Sequence, residues 1–216
     1  MYLKLICTLS LLLLVKMGFA QVDFAQLDGQ LSNDAQFKEI AIGAEVSLKI
    51  KQDANVVYLN LQSEDLLVAS ICISQGNEVY VLHASAALGM VKYVKKENSN
   101  QWTTTDKFKW ELRETGLDQK SIDKRSIYFD NNQWVANTMS MGVTGENEFI
   151  IDRRLFKNGY TIQLAAGLMP AETPDKILSL PKGHEAGCAN PLLVSGDPNP
   201  TYDFLPRGWY KIELEN

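Results

Sequence analysis

Hydrophobic and polar residues alternate along most of this chain. In AEVSLKI, Ala44, Val46, Leu48 and Ile50 fall on one face of an extended segment, and Glu45, Ser47 and Lys49 on the other. VVYLNLQ repeats the pattern with Val57, Leu59 and Leu61 inward, and the short QDAN link between the two reads as a hairpin turn. LLVASICIS puts Leu67, Ala69, Ile71 and Ile73 on one face and Val68, Ser70, Cys72 and Ser74 on the other. Cys72 therefore sits on the less apolar side, within reach of a loop. QGNE, residues 75–78, is the next turn, and VYVLH the next strand. Further strands are predicted at 88–96, 107–113, 147–153, 159–167 and 209–214. KFKWELR sets Phe108, Trp110 and Leu112 against four charged residues, and YTIQLAAGL aligns Tyr160, Ile162, Leu164 and Ala166. Repeated half-buried strands of this kind predict a mainly β protein, a jelly-roll-like antiparallel β-sandwich.

One segment breaks the period of two. In GLDQKSIDKRSIYFDNNQW, Asp118 is an N-cap, and Ile122, Ser126 and Phe129 follow at helical spacing. The expectation is one short inserted helix near 119–130. The stretch 181–208 reads as a long loop carrying Pro181, Pro191, Pro198, Pro200 and Pro206, five of the seven prolines. Loops of that length are commonly functional or mobile.

The first twenty residues do not belong to this pattern. Lys4 precedes the apolar run around LLLLV, and Ala20 of GFA offers a cleavage point, which together predict a secretory signal peptide over 1–20. An uncleaved anchor is the rival reading. Lys16 weakens it, because a span needs about 20 apolar residues. The expectation is a secreted or periplasmic protein with no membrane span after cleavage, and a single domain over 21–216. The net charge is −5, and it becomes −7 when Lys4 and Lys16 leave with the leader. An acidic chain without a basic stripe argues against nucleic acid as a partner. Two of the three cysteines remain, Cys72 and Cys188. In an oxidising compartment they form either one bridge, stabilising by roughly 3–5 kcal/mol, or two separate thiols.

Candidate chemistry is sparse. His83 and Met90 recur in HASAALGMVKY, and haem is held by such pairs. Small residues and Gly89 between two strands favour a structural histidine at a strand end. His184 and Cys188 in HEAGC are four apart, but Gly187 and the prolines place them on a loop, and zinc wants three or four ligands. Asp197, Asn199 and Asp203 supply hard oxygens without calcium-loop spacing, so an ordinary turn is the expectation. No Gly-x-Ser-x-Gly elbow occurs. The reading is of a protein with no catalytic residue, no metal and no cofactor. The tryptophans remain. Trp110 alternates with core positions, and Trp134 reads as packing the helix to the sheet. Trp102 lies in the polar NSNQWTTTD, which favours exposure, and Trp209 stands beside Arg207 before the last strand, where it would edge a cleft. Trp102, Trp209 and Arg207 are the candidate ligand-binding residues.

The order LDGQLSNDAQF, AEVSLKIKQDANVVYLNLQSED, HASAALG, a tryptophan-bearing strand, a helix, QWVANTMSMG and EFIIDRRLF resembles secreted DOMON-like β-sandwiches, which are related in architecture to family 9 carbohydrate-binding modules. The resemblance covers roughly 27–168 and implies a non-catalytic module that binds a carbohydrate or another small molecule. The alternative is a structural or protein-interaction domain of the cell envelope, with an envelope protein as partner.

Overall fold

The computed structural model describes residues 22, 24, 27, 37–41, 46–62, 66–104, 111–114, 116–137, 146–156, 161–170, 178–181, 188 and 201–213. In chain order the strands are β1 (Lys38–Ala41), β2 (Ser47–Gln52), β3 (Val56–Gln62), β4 (Leu66–Gln75), β5 (Glu78–Ala84), β6 (Leu88–Lys95) and β7 (Trp102–Thr103). A helix, α1 (Gln119–Asn132), follows, and then β8 (Trp134–Ala136), β9 (Asn147–Asp152), β10 (Thr161–Pro170), β11 (Leu178–Leu180), β12 (Thr201–Tyr202) and β13 (Tyr210–Glu213).

These strands make two antiparallel sheets. One runs β1-β2-β3-β9-β8; the other runs β11-β10-β4-β5-β6-β7-β12, with β13 also paired to β10. Among the described residues the mainly β sandwich with one inserted helix is therefore observed. The turns have local causes. The Asp53 carboxylate accepts from the backbone N–H of Asn55 at 2.7 Å and of Val56 at 2.9 Å, closing the β2–β3 hairpin. Between β4 and β5, Gly76 takes φ +59°, a conformation that a side chain resists.

The inner faces meet where alternation placed them. Leu48, Leu59 and Leu61 from one sheet join Ile71, Ile73 and Leu82 from the other in one buried cluster. Burying each such side chain stabilises by about 1.5–3 kcal/mol.

The helix begins as expected and runs two residues further. Asp118 accepts from the Ser121 N–H at 2.9 Å, and Gln133 ends the helix at φ +64°. Its buried face is rotated from the predicted one: Ser121, Arg125, Tyr128 and Phe129 are buried, whereas Ile122 and Ser126 are only half-buried. Arg125 explains the rotation. Its guanidinium donates to the carbonyls of Gly116 at 2.7 Å and Glu114 at 3.2 Å, so the helix turns a charged residue inward to satisfy the approaching chain. Lys124 pairs with the Glu114 carboxylate, and that ammonium, with the Ser121 hydroxyl second, holds the carboxyl down to about 2. Trp134 links helix to sheet as predicted, edge-on to Tyr128 at 5.6 Å and stacked on Phe149 at 6.2 Å.

Of the strand predicted at 107–113, residues 107–110 with Trp110 lie outside the described residues; Leu112 makes an isolated bridge to Leu88. The predicted leader also lies outside them. Among the described residues no helix is long and apolar enough to cross a membrane.

Candidate functional site

The larger sheet is apolar on both faces. Register fixes which residues share its outer face: Cys72 lies opposite Val81, and Val81 opposite Val91; Val79 lies opposite Tyr93. Trp102 continues the face from β7, opposite Lys95. These residues form a second buried cluster, separate from the main core, together with Cys188, Phe204 and Trp209. The period of two that predicts one core-facing side per strand thus feeds two cores here, one on each side of β4–β7.

The cover is a short stretch of the C-terminal region. β12 pairs with β7, Thr201 opposite Thr103 and Tyr202 opposite Trp102. From there Phe204 inserts as a hub. Its ring lies 5.2 Å from Tyr93, 5.9 Å from Trp102 and 6.0 Å from Trp209, all steeply inclined. Tyr202 meets Tyr93 edge-on at 5.0 Å. The Trp102 indole N–H donates to the Phe204 carbonyl at 3.1 Å, while the buried Trp209 indole N–H meets no acceptor among the described residues. Burial, with Tyr202 second, pushes the Tyr93 phenol up. Cys188 forms a disulfide with Cys72, their Cα atoms 5.5 Å apart across 116 residues of chain. Both cysteines are fully enclosed.

The same face carries a buried polar pair at its β4–β5 end. Ser70 Oγ and His83 Nδ1 are 2.8 Å apart on directly opposed residues. Removal from water pushes the imidazole down to about 4, so it is neutral at physiological pH. A serine beside a neutral imidazole is the beginning of a nucleophile–base arrangement. Here both side chains are enclosed, Ser70 fully and His83 to 4% exposure. His83 and Met90 do not form a ligand pair. His83 lies opposite Gly89 and Leu82 opposite Met90, so alternation sends the two side chains to opposite faces. Met90 packs against the main core.

The three candidate binding residues fare differently. Trp102 and Trp209 are brought together through Phe204, but at 3% and 4% exposure, which corrects the expected exposure of Trp102 and the expected cleft-edge position of Trp209. The polar residues just before Trp102, 98–101, lie at the β6–β7 turn, and pairing turns its ring into the cluster. Arg207 is exposed on a 3-10 turn, Pro206–Gly208. Tyr93, Tyr202 and Phe204 were missed; their signal was alternation, Tyr93 with Val91 and Tyr202 with Phe204. Asp203 is exposed, and His184, Asp197 and Asn199 lie outside the described residues.

A second buried polar group lies on the smaller sheet. Asn60 donates to the Glu146 carboxylate at 2.5 Å, and the Asn137 amide bridges the Glu146 carbonyl and the Glu148 N–H at 2.8 Å each. These bonds join the end of β8 to β9. Among the described residues no three His, Cys, Asp or Glu converge on a metal position. Comparison of the chain with protein-family models and with curated proteins finds no match.

Proposed function

We propose that the chain is an exported, non-catalytic β-sandwich that acts as a protein-interaction domain of the cell envelope. One observation carries the preference over a carbohydrate module: the rings of Trp102 and Trp209 are enclosed and meet Phe204 edge-on. A sugar needs an open aromatic face on which to lay its C–H groups, and neither indole offers one. The leader-like segment and the acidic charge support export and a partner other than nucleic acid. The DOMON-like order of elements fits a non-catalytic role without naming a ligand.

The test has two arms. Mature protein bearing an affinity tag is passed over a cell-envelope extract, and retained proteins are identified and re-bound in purified form. In parallel, tryptophan fluorescence is titrated with a panel of glycans. The proposal expects one purified envelope protein to bind saturably and no glycan to change the emission. A saturable glycan response that disappears in Trp209→Ala would restore the carbohydrate reading and end this one.

A further inference from the structure

The outer cluster is built unlike the main core. A whole sheet separates the two, and they share no residue. The main core draws on both sheets and on Tyr128 and Phe129 of α1. The outer face is closed, among the described residues, by Cys188 and the rings of Tyr202, Phe204 and Trp209. Among the described residues, the ties to that cover are two residue pairs between β12 and β7 and the bond from the Trp102 indole N–H to the Phe204 carbonyl. Beyond Trp209 the chain is held again, by the four-residue ladder of β13 on β10. Phe204 and Trp209 of the cover are thus buried in one cluster with the Cys72–Cys188 bond, and β13 fixes the chain just after them.

We infer that residues 201–209 are a displaceable strap, latched by the Cys72–Cys188 disulfide, that masks a peptide-docking face on β4–β7. The strap itself displays what the face takes. It adds a strand antiparallel to β7 and sends Tyr202 and Phe204, two residues apart, onto the sheet. That is the strand-addition mode of peptide recognition, in which main-chain bonds give affinity and alternate side chains give specificity. The partner class is an extended segment with aromatic residues at every second position. The use of this face in the cell rests on the interaction role proposed above; the strap does not.

Unlatching is a thiol–disulfide exchange. One thiolate of an external dithiol attacks a sulfur of the bond and forms a mixed disulfide, releasing the other cysteine as a thiolate. The second thiol of the reductant then displaces the remaining cysteine. The reductant closes to a cyclic disulfide, and the two electrons end on Cys72 and Cys188, which take up two protons. Because both cysteines are enclosed, the strap must lift before attack. At high reductant the reduction rate levels off at the rate of lifting.

The experiment uses the full mature chain in three forms: oxidised, treated with dithiothreitol, and Cys72→Ser/Cys188→Ser. Hydrogen exchange is followed at 102–104 and 201–205, and at the core strands 56–62 and 147–152. A fluorescein-labelled peptide TYDFLPRGWY, the sequence of 201–210, is titrated into each form. Exchange at the strap and β7 rises at least about tenfold in the two unlatched forms while the core strands keep their protection. The peptide binds saturably to the unlatched forms and not to the oxidised one, and its Phe204→Ala version does not bind. Strap and core losing protection together, or neither losing it, would overturn the strap. An unlatched protein that ignores the peptide would overturn the docking face. The peptide assay needs no envelope partner, so its outcome is independent of the envelope-extract result.

Discussion

Acidification offers a direct measure of the buried imidazole. His83 is held near 4 by burial, against about 6.5 for an exposed histidine. As pH falls, the unfolded chain takes up the proton first, and stability drops with it. The contribution is fully present above about pH 6.5 and is lost as pH falls toward and through 4. Linkage gives a loss of about 2 kcal/mol between pH 7 and 5 and about 3 by pH 4. Carboxylates also titrate near the lower end, so the wild-type curve alone is not diagnostic. His83→Asn keeps a group able to pair with the Ser70 hydroxyl but does not titrate. Urea unfolding of both proteins from pH 8 to 4.5, followed by tryptophan fluorescence and far-ultraviolet circular dichroism, isolates the histidine. The wild-type stability relative to the variant is expected to fall by about 2 kcal/mol between pH 7 and 5. A difference that stays flat with pH would refute the claim that His83 is enclosed and neutral.

Two further outcomes follow from packing. Trp102→Phe keeps a ring against Phe204 but removes the donor to its carbonyl, and is expected to cost about 1–3 kcal/mol; Trp102→Ala is expected to cost about 3–5, both read by urea unfolding. Equal, near-zero costs would place the indole at the surface. Gly116→Ala puts a methyl group 2.4 Å from Ser121 Oγ, which must rotate away from its bonds to Glu114 and Asp118. A loss of about 1–2 kcal/mol is expected, with reduced helix signal on heating, whereas an unchanged melting temperature would show that the cap tolerates the intrusion.

How much of this was legible from residues alone depends on what alternation reports. It reports that neighbouring side chains point to opposite sides, and on that basis β2 to β6, β9, β10 and β13, the inner faces of β2 to β4 and the helix start at Asp118 were readable, whereas the short strands β1, β7, β8, β11 and β12 were not. It does not report whether the second side meets water. On β4 the second face carries Ser70, Cys72 and Ser74, residues equally at home at a surface or under a cover. The deciding information was a further 130 residues along the chain, in Phe204 and Trp209, whose rings close that face. The same limit displaced the helix stripe. Arg125 reads as a surface position until Gly116 and Glu114 are seen to aim their carbonyls at it. It also misplaced Trp102, whose polar neighbours mark a turn while its ring follows the register of β7. Each miss has one cause: a partner distant in sequence supplies the apolar surface or the hydrogen-bond acceptor that local composition lacks. The corollary is physical. Where a strand's weaker face is buried by a distant segment held with few backbone bonds, that face is the part of the sandwich most readily uncovered without unfolding the rest, and in this chain it is the face beneath Phe204.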